Sequence, residues 1–217
     1  MLASGARYRR LDIPNLSEFE GSAVHYWASR AETRLCAGQA VALTGAGNSA
    51  GQAVVYLASH ARKVTMVVRG KNLEDTMSQY LITRIRSLPN VEVILRSEIC
   101  GLEGEGGVLE KVRCRNLGSG EEHERPMGHL FSFIGADPNT DWLQESGIAL
   151  DDKGFVITGE AGRHPLATNR EGVFAVGDVR CGSVKRVAAS VGEGSTVVSG
   201  LHAYLAQQRA TLAEAAQ

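Results

Sequence analysis

No apolar run in this 217-residue sequence is long enough to cross a bilayer. No sign of charge dominates either: 23 Lys and Arg face 24 Asp and Glu, for a net charge of −1. Because the charges are interspersed, neither nucleic acid nor a membrane surface is expected as a partner. Cysteines are few and scattered. Cys36, Cys100, Cys114 and Cys181 form no C-x-x-C pair and no metal-ligand spacing, and read as reduced thiols of a cytoplasmic protein. His25, His60, His123, His129, His164 and His202 form no metal-like pair and read as surface or packing residues, so no metal site is expected. Met1 to Arg10 carries arginines without the apolar core of a signal peptide. No repeat of solenoid length occurs, and only the Ala/Gln-rich tail after Leu205 reads as disordered.

What is present is concentrated in one stretch. Val41-Ala42-Leu43-Thr44 runs into Gly45-Ala46-Gly47-Asn48-Ser49-Ala50, a G-x-G-x-x-A, and a helix-forming segment follows at once. Gly45 permits the tight turn out of the strand, Gly47 lets the backbone approach a pyrophosphate, and small Ala50 lets the helix pack close. The helix N-terminus at Asn48 and Ser49 adds unpaired N–H groups and the positive end of its dipole. The pattern is that of a dinucleotide cradle; the alternative is a tight strand-to-helix turn with no ligand. The next strand, Val64 to Val68, ends in Arg69-Gly70-Lys71, with no carboxylate before Glu74. An NAD site places an acid here for the ribose 2′-OH, whereas an NADP site wants a cation for the 2′-phosphate. Arg69, with Lys71 and Arg62 as helpers, therefore favours NADPH. The bland alternative is solvated charge at a strand end.

From Ala40 to Ile99 the pattern is strand, helix, strand, helix, strand, which predicts an α/β fold with a parallel sheet and crossover helices. The helices are expected over residues 52–60 and 73–88, the latter carrying Met77, Leu81, Ile82 and Ile85 at helical spacing. Residues 91–95 read as the third strand, 108–126 as a β-meander and 129–134 as a buried return strand. Beyond them come a turn-rich exit at 135–140, a hairpin at 151–156, a strand over 172–178 and a helix over 187–205.

In this order the segments resemble the thioredoxin-reductase-like branch of the pyridine nucleotide-disulfide flavoprotein oxidoreductases. Leu2-Ala3-Ser4-Gly5-Ala6 is similar to the family's A-T-G strand end, with Ser4 for Thr. The cradle resembles its NADPH fingerprint, and Phe133 to Thr140, including Gly135, its return crossover. Val173 to Asp178 resembles its C-terminal flavin motif. The resemblance implies hydride passing from NADPH to FAD and on to an acceptor. It places Gly177 and Asp178 at the ribityl chain, and Lys185, Arg186 and Val187 at the isoalloxazine. Glu193 is a weaker flavin-side candidate, a solvated helix residue being the alternative. Family members often pair as homodimers.

The departures are informative. Where thioredoxin reductases carry C-A-T-C this chain has Trp27-Ala28-Ser29-Arg30, and Cys36 is a single sulfur that cannot form a local pair. Trp27 is expected to pack internally, covering the flavin being the alternative. Gly70 takes the second position of the family's cationic pair. The family's N-terminal FAD fingerprint is not in this sequence. The expected organisation is thus a remnant of the FAD domain at 1–20, an NADPH domain at 21–134 and the C-terminal part of the FAD domain at 135–217, as in a truncated product, a fragment or part of a split gene. Two functions follow: an NADPH-dependent flavoprotein oxidoreductase with an unidentified acceptor, or an NADPH-binding module with no turnover of its own.

Overall fold

The computed structural model describes residues 1–160 and 164–215. In chain order its elements are β1 (Ala6–Tyr8), α1 (Leu16–Phe19), β2 (Val24–His25), α2 (Arg30–Leu35), β3 (Ala40–Thr44), α3 (Asn48–Ala58) and β4 (Lys63–Val67). There follow α4 (Gln79–Arg86), β5 (Val91–Ile94), β6 (Ser97–Glu105), β7 (Val108–Asn116), β8 (Glu122–Pro126), β9 (His129–Ser132), β10 (Ala136–Pro138) and α5 (Val187–Ala215). Two compact units result: Arg9–Gly135, and Met1–Tyr8 together with Ala136–Gln217. Residues 9–20, expected with the smaller unit, belong to the larger one. Leu11, Ile13, Leu16 and Phe19 bury their side chains there against the β-meander.

The larger unit is built on a parallel sheet in the order β2-β9-β3-β4-β5. From β3 the chain steps outward to β4 and β5, then returns to the other side of β3 as β9. The order therefore reverses between β3 and β9, the place where open α/β sheets bind ligands. Both faces of β3 are covered, as its unbroken apolar run requires. Val41 and Leu43 meet Val54 and Leu57 of α3 and Ile82 and Ile85 of α4. Ala42, with Leu130 of β9, meets Ile99, Leu102 and Val112 of the antiparallel sheet β6-β7-β8.

The smaller unit pairs β1 antiparallel with β10. The run 172–178, expected as a strand, makes only isolated bridges, Leu2 to Ala175 and Ala167 to Phe174. The expected hairpin at 151–156 is a turn held by the Asp151 carboxylate, which accepts from the Lys153 and Phe155 N–H groups, each at 2.9 Å. One antiparallel bridge, Leu150 to Val156, closes it. Helix α5 runs ten residues past Leu205. That tail reads as disordered by composition, but Ala, Gln, Leu and Glu are also strong helix formers.

The second helix begins late. Residues 73–77 form turns and α4 starts at Gln79, because this backbone is fastened to the cradle instead. The Ser78 N–H donates to Asn48 Oδ1 at 2.8 Å, and the Thr76 hydroxyl donates to the Ala46 carbonyl at 2.8 Å.

One buried polar contact lies in the sheet itself. His25 Nε2 and His129 Nδ1 are 3.1 Å apart, with Phe131 stacked on His25. Burial, and then the neighbouring His129, lower the pKa of His25 from 6.5 to about 4; burial lowers that of His129. Between those two values the unfolded chain takes up a proton that the folded chain refuses, so stability falls as pH drops from 6.5 toward 4. The His25 contribution is on the order of 3 kcal/mol. Chemical denaturation at pH 7 and pH 5 should show the part of this loss that falls above pH 5, roughly 2 kcal/mol, in the wild type. His25→Asn, which keeps a hydrogen-bonding group but does not titrate, should flatten the dependence by at least half; an unchanged slope would refute the assignment.

Candidate functional site

The cradle is shaped by a close approach of two strands. Gly45 has φ +140°, and a Cβ on it would lie 2.9 Å from the Phe133 carbonyl carbon, so no other residue fits. Gly47 is different. Its φ is −82° and a Cβ there would meet nothing within 4 Å, so nothing within the chain demands glycine at this position. Gly47 is the N-cap of α3, and no side chain caps the helix. Its first-turn N–H groups and dipole therefore face outward, as anion binding requires. Ala50 is fully buried against the sheet. Ser49 and Asn48 are exposed, but the Asn48 side chain is occupied by Ser78, which leaves its backbone N–H for a ligand. Gly51 escaped the sequence reading: a Cβ there would lie 2.8 Å from Met77 Sδ. A glycine inside a helical pattern was the available signal.

Arg69 and Lys71 follow β4 at the end of the sheet that carries the cradle, and both are exposed. Among the described residues neither side chain has a hydrogen bond or ion pair. Arg62 precedes β4 and so sits at its opposite end, a strand length of roughly 17 Å away. It cannot help Arg69. Gly135 accepts through its carbonyl from the Arg9 N–H at 3.0 Å, closing the larger unit.

Trp27 does not pack internally. It is 53% exposed, and its indole N–H donates to Glu32 at 3.0 Å. Glu32 and Ser29 form the capping box of α2. All four cysteines are free, and no metal-binding cluster exists among the described residues.

The smaller unit holds a cavity of about 410 Å³ lined by Tyr8, Asp178, Lys185, Arg186 and Val187, with Ser190 and Val191 behind. Asp178 Oδ1 is buried there with no hydrogen-bond partner. Burial, and then the Asp178 carboxylate, raise the pKa of Tyr8. Lys185 lies over the Phe155 ring, 4.4 Å from its centre, and Val187 is 82% exposed at the start of α5. Glu193 neither stands free in solvent nor lines the cavity. It accepts from the Gly177 N–H at 2.6 Å and from Arg180 Nη2 at 2.6 Å, and this hydrogen bond to Arg180 leads in lowering its pKa. Arg180 also donates to Thr158 at 3.0 Å. The tripod holds the turn at Gly177, φ +75°, and with it Asp178.

Residues 1–194 match the family model described as pyridine nucleotide-disulphide oxidoreductase. Among similar proteins, an alkyl hydroperoxide reductase component of Pseudomonas putida is 34% identical over 90% of this chain and 36% of its own length. The 34.2 kDa protein in the rubredoxin operon of Clostridium pasteurianum is 30% identical over 94% of this chain and 64% of its own. The solved thioredoxin reductase of Giardia duodenalis is 27% identical, with a TM-score of 0.78 over 94% of this chain and 64% of that one. This chain thus spans between about a third and two thirds of the length of such relatives.

The two glycines should respond oppositely to the same substitution. Gly45→Ala should destabilise the fold by about 2 kcal/mol or more through strain and overlap. Gly47→Ala should lose no more than about 1 kcal/mol, the difference between glycine and alanine at an N-cap. It should nevertheless weaken nicotinamide dinucleotide binding roughly tenfold, since the methyl group occupies the approach to the helix N-terminus. Thermal melts and equilibrium binding on the two variants check both; unaltered binding by Gly47→Ala would remove the cradle.

Proposed function

Because this chain belongs to the pyridine nucleotide-disulphide oxidoreductase family, we propose that it handles NADPH and FAD in a thioredoxin-reductase-like oxidoreductase whose acceptor is not a dithiol of this chain. Family membership implies nicotinamide and flavin cofactors, and no described helix is long and apolar enough to cross a membrane. The carrying observation is the uncapped N-terminus of α3 behind Gly45 and Gly47, at the reversal of strand order. When bound, the nicotinamide supplies a hydride and the flavin accepts it. The chain's residues bind and orient. First-turn N–H groups of α3 hold the pyrophosphate, and Arg69 with Lys71 meets the 2′-phosphate that distinguishes NADPH from NADH.

On the flavin side, the unpartnered Asp178 Oδ1 fits a hydroxyl donor such as that of the ribityl chain. Lys185, Arg186 and Val187 form the wall beside it. Glu193 and Arg180 act at one remove, by holding the turn. With Trp27 and Arg30 where the dithiol would be, electrons leave to an external acceptor: a quinone, a ferredoxin-like protein or a disulfide protein.

The full chain, incubated with excess FAD and desalted, should keep flavin absorbance that bleaches anaerobically with NADPH. Asp178→Ala should lower the retained flavin at least tenfold, the loss expected when a charge-assisted hydrogen bond goes. No retained flavin with NADPH still bound would make the chain a nucleotide-binding module instead. Arg69→Ala should weaken NADPH roughly tenfold or more and leave NADH nearly unaffected; equal losses would remove the 2′-phosphate role.

A further inference from the structure

Arg96 has the one positive φ, +49°, of any non-glycine residue in the larger unit other than Asn15. Left-handed backbone is disfavoured for a residue with a Cβ, so something must hold it. Three backbone bonds do. The Arg96 N–H donates to the Gly70 carbonyl at 2.9 Å and the Ser97 N–H donates to the Val68 carbonyl at 3.0 Å. The Leu117 N–H donates to the Arg96 carbonyl at 2.7 Å. The first two bonds bracket Arg69 on either side. They set Arg96 beside Arg69 and Lys71, just beyond the register pair Val67–Ile94 of β4 and β5. Arg96 is exposed, and like the other two its side chain has no hydrogen bond or ion pair among the described residues.

Of the nearest acids in sequence two are taken, while Asp75 makes no ion pair among the described residues. Glu74 binds Arg86 at 2.8 Å and accepts from the Leu73 N–H. Glu98 lies 3.5 Å from Arg115. Three cations are thus gathered at one strand end, none of them in an ion pair among the described residues, beside the exposed apolar side chain of Leu95. Such a group suits a phosphate ester on a sugar whose flat base can lie against the apolar side chain.

We infer that Arg96 is a specificity-determining residue for NADPH, adding from the end of β5 a third cation to Arg69 and Lys71 at the end of β4. The inference rests on the NADPH reading above and adds a residue to it. Its backbone is anchored on both sides, so binding has to order the side chain alone and not the chain that carries it.

Adenosine 2′,5′-bisphosphate and AMP differ only in the 2′-phosphate, and calorimetric titration of the full chain with each isolates that group. The variant is Arg96→Gly, because glycine adopts φ +49° without strain and should not cost the fold stability. The wild type should prefer the bisphosphate. Arg96→Gly should weaken the bisphosphate roughly tenfold or more and leave AMP within about twofold, and Arg96→Lys should recover part of the loss. A bisphosphate affinity unchanged by Arg96→Gly but lost in Arg69→Ala overturns the role of Arg96 and leaves the NADPH reading standing. A wild type that does not distinguish the two probes overturns both.

Discussion

The contact between Gly45 and the Phe133 backbone sets the geometry of the larger unit. At this point β3 and β9 leave the sheet side by side, tied by the Phe133 N–H to the Thr44 carbonyl at 2.8 Å. Only a residue without a Cβ can pass the Phe133 carbonyl in the conformation that turns the chain into α3. The axis of α3, and hence where its N–H groups aim, follows from that turn. Ala50 lets the helix lie on the sheet, and Gly51 lets Met77 press on the helix. That seating brings Thr76 and Ser78 to Ala46 and Asn48, so the loop after β4 is fixed relative to the cradle. Arg69 and Lys71 inherit their place from the same chain of contacts.

The smaller unit reaches comparable definition by other means. Its segments make isolated bridges and a two-stranded pairing, so few backbone ladders hold it. A partly buried ion pair takes the place of a ladder. Glu193 on α5 grips both Arg180 and the Gly177 N–H. A charge-assisted pair with its remaining valences satisfied is worth more as a positional device than as net stability. Here it fixes the turn at Gly177 on which Asp178 sits.

The cradle was legible in the sequence because its glycines answer to local rules: a strand, a G-x-G-x-x-A, a helix. Periodicity placed four of the five parallel strands, all but the two-residue β2, to within a residue or two, since burial on both faces leaves continuous apolar runs. It misplaced the start of α4 because Met77 is buried through contact with Gly51, not through a helical face. Trp27 looked like a core residue by type, but a capping box outweighed its hydrophobicity and held its indole at the surface. Glu193 was invisible in its true role, since its partners lie sixteen and thirteen residues earlier and no short pattern links them. Arg96 was missed for the same reason: its neighbour Gly70 is brought to it by pairing of β4 and β5.

Both sites are marked by polar groups that the chain leaves without internal partners. A buried donor or acceptor with no partner costs about 1–3 kcal/mol, and folded proteins hold few of them. Ser4, Asp178 and Ser183 have such atoms in the smaller unit, and Asp178 lines its cavity. In the larger unit the first turn of α3 lacks any capping side chain, as do those of α1 and α4, whereas α2 has a full capping box; α3 is set apart by its place behind Gly45 at the reversal of strand order. A ligand that satisfies such groups binds only the folded state, so its binding free energy adds directly to stability. Stability and ligand occupancy are in this way linked at both candidate sites, and substitutions such as Gly47→Ala separate the part owed to packing from the part owed to the ligand.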